Sequence, residues 1–260
     1  MSTKSIGKRL KAEVEDSRIL LRSIPSPVVT LFVVSVIAMN LLANKELFNA
    51  PWIALDCGYT LSWVSFLLMD MICKRFGPKA SMKISVLALV TNLALFAVFN
   101  LISLIPGHWG AYYDLAAGPA GPAAPAATLA DAVLNSTIGG SWYVVIGSAT
   151  AMLLSSAVNS LLNHRIGRKM HTDGYGAFAA RSFISTFIAQ VVDNFVFAAM
   201  VSHVLFGWTW LQVGICSVTC AAVELLCEVL FSPIGYRRAK KWEIAKVGQE
   251  YLDYRTTGEA

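Results

Sequence analysis

SMKISVLALVTNLALFAVFNLISL, residues 81–104, carries one charged side chain, Lys83, and none after it. At 1.5 Å of helical rise per residue, 84–104 extends about 30 Å, the thickness of a bilayer's hydrocarbon core. Within lipid no water is at hand for an open backbone, so such a run spans as a helix, with its N–H and C=O groups paired internally. Similar apolar runs occupy about 26–43, 51–73, 142–162, 178–206 and 209–231. The expected fold class is an all-α membrane protein with six transmembrane helices.

Composition agrees with that class. The chain has 260 residues, 56% hydrophobic and 14% charged, with mean hydropathy +0.58. Soluble domains carry roughly 25% charged residues, so much of this surface faces something other than water. The formal charge of +5 raises nucleic acid as a partner. That reading is set aside because the basic residues sit at the edges of the apolar runs, where anionic membrane lipid and orientation explain them. The five cysteines lie within or at the ends of apolar runs and read as buried small hydrophobes. No metal or cofactor is expected.

Domain organisation follows from the runs. Residues 1–25 form a cytoplasmic N-terminal tail, with Ile6, Leu10 and Val14 spaced for an amphipathic helix on the membrane. The run at 26–43 is followed by no small-x-small cleavage site and reads as a span, not as a signal peptide. Residues 26–236 form the transport domain, and 237–260 a basic cytoplasmic tail. Within the domain, 105–141 is rich in Ala, Gly and Pro and is expected to be an irregular extracytoplasmic loop. Six spans place 19 of the 21 Lys and Arg residues on one side. Basic loops stay in the cytoplasm, so both termini are expected there.

Polar groups at membrane depth are costly and mark function by default. On the fifth run, Ser182, Thr186, Gln190 and Asp193 share one helical face, with Asn194 beside it. Asp193 lies on the order of 20 Å into its helix. The sixth run adds Glu224 and Glu228 one turn apart, the first adds Asn40, and the third Asn92 and Asn100. Asp70 precedes Lys74 by one turn and is expected to pair with it at the inner interface. Arg181 and Glu228 are expected to form a structural salt bridge. The asparagines are open to either interhelical hydrogen bonding or a ligand role.

Several of these stretches resemble one family. They are Asn40; Leu61-Ser-Trp through Asp70-Met-Ile-Cys-Lys-Arg-Phe-Gly77; Ser185 through Gln190-Val-Val-Asp193-Asn194-Phe; and the exit Pro233-Ile-Gly-Tyr236. Over roughly 30–105 and 142–240 the chain resembles the vitamin uptake family that includes bacterial queuosine-precursor transporters. The resemblance implies a six-helix fold akin to the substrate-binding subunits of energy-coupling-factor transporters, in a bacterial inner (cytoplasmic) membrane. It implies uptake of 7-deazaguanine bases such as 7-cyano-7-deazaguanine. The chain departs from the family at Glu224, near where members often carry a Lys, and in the length of 105–141.

Chemistry is compatible with such a substrate. A guanine-like base presents adjacent N–H donors that one carboxylate accepts together, and an amide matches the neighbouring carbonyl. Asp193 or Glu224 with Gln190 would supply these groups, with Trp63 or Phe195 as a stacking platform. Three classes stay open: a self-sufficient importer, a binding subunit served by separate ATPase and coupling subunits, and an intramembrane enzyme or scaffold. No phosphate-cradling Gly-Lys motif, His-Glu-x-x-His or Gly-x-Ser-x-Gly occurs. No enzymatic activity is expected, and the sequence leaves the homo-oligomeric state open.

Overall fold

The computed structural model describes residues 3–116, 124–169 and 175–258. They form two compact units. The first comprises Met1–Ile37, Leu61–Val90 and Leu226–Ala260; the second comprises Ala38–Thr60 and Thr91–Leu225.

Helix α1 covers Thr3–Ser23 and α2 covers Ser26–Leu42, with a bend of 106° between them. Strands β1 (Glu46–Ala50) and β2 (Ile53–Asp56) form an antiparallel hairpin with a bulge between Glu46 and Phe48. Then come α3 (Tyr59–Phe76) and α4 (Pro78–Ser103). The break between them is chemically marked. Gly77 takes φ +88, the left-handed cap that ends a helix, and Pro78 opens the next with its fixed φ and dispensable N–H. A short α5 (Gly110–Ala116) precedes the long α6 (Ala124–Lys169). Helix α7 (Tyr175–Phe197) runs through a π-helical turn, Ala198–Ser202, into α8 (His203–Phe206). Helices α9 (Trp210–Ile244) and α10 (Gln249–Gly258) complete the chain.

Among the described residues, α4, Ala126–Val158, Thr186–Phe206 and Trp210–Phe231 are each long and apolar enough to cross a membrane. The bent pair Lys11–Ser23 and Ser26–Leu42 makes up to five. This differs from the six spans expected. Alone, α2 has 17 residues, about 25 Å. The second run begins with the hairpin, and α3 carries Asp70, Lys74 and Arg75 within its 18 residues. The expected loop at 105–141 also differs, because α5 lies within it and α6 begins at Ala124. Pro125 sits in the first turn, where proline is tolerated, and the alanines beyond it are the strongest helix formers. The Gly/Pro-rich centre, 117–123, lies outside the described residues. The last helix does not end at Pro233 but continues to Ile244.

In the first unit a core of Leu20, Ile24, Leu68, Ile72, Phe76, Ile84, Trp242 and Tyr251 joins α1, α3, α4, α9 and α10. The Phe76 ring lies 6.5 Å from Trp242 and 6.4 Å from Tyr251. Lys83 pairs with Glu13 at 2.6 Å and with Asp16, Arg22 pairs with Glu250, and Arg75 Nε donates to the Val247 carbonyl at 3.0 Å. The two tails expected from the sequence are thus folded helices. Ile6 and Leu10 have side chains outside the described residues, and Val14 is exposed.

In the second unit, smaller clusters gather Ala54, Trp208, Val213, Cys216 and Cys220, and Ala43, Val144 and Val201. The hairpin is held by side chains: Trp208 Nε1 donates to Glu46 at 2.6 Å, and Gln212 Nε2 donates to Asn49 Oδ1 at 2.9 Å and the Ala50 carbonyl at 2.8 Å. Asp56, also buried, accepts from the Gly58 N–H at 2.8 Å and from Ser202 at 3.5 Å.

Candidate functional site

The polar residues of α7 meet partners from α6 and α9 inside the second unit. Asp193 Oδ1 accepts a hydrogen bond from Ser155 Oγ at 2.8 Å. Asn194 Nδ2 donates to its own helix at the Gln190 carbonyl, 2.9 Å away, and to Glu224 Oε2 at 3.1 Å. Glu224 and Gln190 are both 4% exposed. The helical period brings them together: Gln190, Asp193 and Asn194 fall within one turn, and Asn194 reaches across to α9.

Gln190 stands apart. Its Nε2 and Oε1 are both buried and have no hydrogen-bond partner among the described residues, and the same holds for both amide atoms of Asn92 on α4. A buried amide without partners forfeits on the order of 1–3 kcal/mol per group. Asn92 is fully buried on a stripe with Ile84, Ala88 and Phe96, spaced i, i+4, i+8 and i+12 along α4. With the Ser103 hydroxyl, these two amides are the buried side-chain groups of the unit without a partner among the described residues, and a polar guest would satisfy the amides.

The other expected site residues fall as follows. Thr186 is half-buried one turn before Gln190, and Asn40 is buried at 2% exposure near the end of α2. Trp63 belongs to the first unit and stacks on Phe231 with ring centroids 4.5 Å apart at 18°, so one face is already covered. Phe195 is exposed and lies outside the buried cluster. The expected ion pair of Asp70 with Lys74 does not form. Lys74 Nζ instead lies 3.5 Å from the centroid of Tyr236. Arg181 has its side chain outside the described residues, which leaves its expected bridge to Glu228 without a described geometry. Ser155 escapes a sequence reading because hydroxyls are abundant in apolar helices and usually return to their own backbone. Asn92 is visible there only as one amide among several.

These features are those of an all-α, multi-pass membrane protein in which polar side chains of three candidate spans meet. Residues 56–237 match the model of the family described as Putative vitamin uptake transporter, and the chain belongs to that family. No curated protein and no solved structure is significantly similar to it.

Proposed function

We propose that this protein imports a small planar nitrogenous molecule, most specifically a 7-deazaguanine base such as 7-cyano-7-deazaguanine, and that Gln190, Asp193, Asn194 and Glu224 bind it. The observation that carries this reading is the Gln190 side chain, buried with both amide ends unpartnered beside two carboxylates. A lactam edge offers a carbonyl acceptor next to ring N–H and amino donors. The Gln190 amide answers the first, and Glu224 or Asp193 accepts from the others.

In this reading both termini face the cytoplasm of a bacterial inner membrane. The sixth span is α3, whose charged end carries Lys74 and Arg75 to the inner interface. The fold is that of the substrate-binding subunits of energy-coupling-factor transporters, and the chain transports by itself. Uptake of labelled 7-cyano-7-deazaguanine tests the function, in cells lacking their own transporter and the pathway to the base. The parent chain restores uptake and Gln190→Leu does not. Absence of uptake by a well-expressed parent chain refutes the substrate. For orientation, Asp114→Cys in a background without the native cysteines reacts with an impermeant reagent in intact cells. Reaction only after permeabilisation reverses the topology.

A further inference from the structure

The first unit holds a cavity of about 460 Å³ that the proposed import site does not use. Its polar wall is Asp70, Lys74, Tyr236 and Arg237; Leu67 and Met71 form an apolar wall. The volume is in the range of small-ligand sites.

The charges in it are unspent. Asp70 and Lys74 are one turn apart on α3, the spacing at which oppositely charged side chains normally pair. Here the ammonium of Lys74 is drawn onto the Tyr236 ring, a cation–π contact. Asp70 has neither an ion pair nor a hydrogen bond among the described residues, and Arg237 likewise has none. One carboxylate and two cations therefore open onto a shared space without neutralising one another. Water around separated charges satisfies them, but a dipolar guest does so with fixed geometry: a primary ammonium on Asp70, and an anion with several oxygens on Lys74 and the guanidinium fork of Arg237.

The surroundings select the guest's source. Leu230 and Ile234, on the α9 stretch that leads to Tyr236, are each 61% exposed. Leu230 falls within the candidate span Trp210–Phe231, so this surface meets acyl chains. A guest entering here from the bilayer brings its own apolar tail, and Leu67 and Met71 offer a matching wall. Lys and Arg at a span's end also sit at headgroup level.

We propose that this cavity binds a zwitterionic ligand bearing a primary ammonium and a phosphate, supplied as the headgroup of an ethanolamine-type membrane phospholipid. The ligand rests on Asp70 through its ammonium, on Lys74 and Arg237 through its phosphate, and on Leu67 and Met71 through its first apolar carbons. This is independent of the import reading, since none of these residues belongs to the polar cluster on α7 and α9.

The test is thermal unfolding of the full chain in nanodiscs of phosphatidylcholine, alone or doped with phosphatidylethanolamine or phosphatidylglycerol. Phosphatidylcholine keeps the charge pattern but has no ammonium N–H to donate, and phosphatidylglycerol keeps the phosphate without the ammonium. Doping with phosphatidylethanolamine raises the midpoint by about 3 °C or more, and phosphatidylglycerol raises it less. Asp70→Asn abolishes the gain while the variant stays folded and monodisperse. If that variant does not fold, Arg237→Gln takes its place and shows the same loss. Equal midpoints in all three bilayers overturn the proposal, as does an ethanolamine-lipid gain that survives in a folded variant. Free phosphoethanolamine added to phosphatidylcholine discs gives no shift. A saturable shift of the same size overturns the lipid as the source.

Discussion

The two units bury polar groups of different kinds. In the first, the buried polar residues are mainly serines, and hydroxyls such as Ser65 and Ser85 return to carbonyls of their own helices, Ser62 at 2.7 Å and Ser81 at 3.1 Å. Its buried acid, Asp16, is matched by Lys83. In the second, the buried polar groups include the carboxylates of Asp56 and Glu224 and the amides of Asn92 and Gln190, and the two amides have no hydrogen-bond partner among the described residues. A serine that closes on its own helix costs little and specifies nothing. An amide left open keeps its bonding capacity for something else. The first unit is organised around large aromatic packing, and its buried groups without a partner among the described residues are two hydroxyls, of Ser23 and Tyr251; the second leaves whole amides open in its interior.

The sharpest way to break this contrast is at Phe76. The ring is 5% exposed within the first unit's core, and Gly248 turns beneath it with φ +66, leaving no room for a Cβ, which would meet the ring at 2.3 Å. Phe76→Ala removes the contacts to Trp242 and Tyr251 and leaves a cavity, costing about 3–5 kcal/mol. Tryptophan-detected unfolding should show a large fall in stability. A loss below about 1 kcal/mol would mean that this core does not hold the unit.

Next comes Asp193→Asn, which probes the second unit's polar interior directly. Asn keeps an acceptor for Ser155 but replaces one carboxylate oxygen with a donor that meets a ligand N–H head-on. Affinity for 7-cyano-7-deazaguanine should fall on the order of 100-fold, the scale of a charged hydrogen bond of about 3 kcal/mol, with folding retained. A purified variant that binds like its parent would shift the site to Glu224 and Gln190.

How much of this was readable from sequence depends on the kind of signal. Helix α4 was legible to within about three residues, 81–104 expected against Pro78–Ser103 observed, because no charge interrupts its apolar run after Lys83; the Gly77-Pro78 start was passed over. The hairpin was not, because Leu47, Phe48, Trp52 and Ile53 extend the apolarity of the helix that follows; hydropathy sums register apolar content and miss a change of period. Prolines misled twice. Those near 118–125 extended the loop reading too far into the alanine-rich start of α6, and Pro233 read as an exit where α9 continues. Gln190, Asp193, Asn194 and Glu224 stood out because polar side chains are conspicuous among apolar ones. Ser155 did not, and the missing Asp70–Lys74 pair was invisible because Tyr236 competes for the ammonium from a distant part of the chain.

A third test uses pH at the hairpin. Burial pushes the Asp56 carboxyl up from 3.8 to about 6, although the Gly58 N–H and Ser202 hydroxyl act the other way. The folded state then holds a proton between pH 3.8 and about 6 that the unfolded state has released. The contribution is fully present below pH 3.8 and is lost as pH rises through about 6, about 3 kcal/mol in all. Amide exchange over Glu46–Asp56 should accelerate more steeply across this window in the parent than in Asp56→Asn, beyond the intrinsic pH dependence. Equal profiles would place Asp56 in contact with water and remove it from the second unit's buried set.

The smallest effect separates the two kinds of hydroxyl. Tyr143 Oη donates to the Met200 carbonyl at 2.5 Å, inside the π-helical turn Ala198–Ser202. A π turn displaces the regular i→i−4 ladder, and such turns recur at functional sites. Here the bond ties α6 to the irregular turn, where Gly147 also lets α6 approach closely, since a Cβ there would meet Val201 at 2.3 Å. Tyr143→Phe keeps the ring and leaves that carbonyl without its side-chain donor, at a cost of about 1 kcal/mol. Ser85→Ala in the first unit removes a hydroxyl bonded back to its own helix and should change stability by a few tenths of a kcal/mol at most, because the carbonyl it leaves is already within a helical ladder. Amide exchange at Ala198–Val204 should quicken in Tyr143→Phe, with no matching change around Ser81–Ala88 in Ser85→Ala. If both variants are equally silent, the bond to Met200 does not hold the π turn, and hydroxyls serve the two units alike.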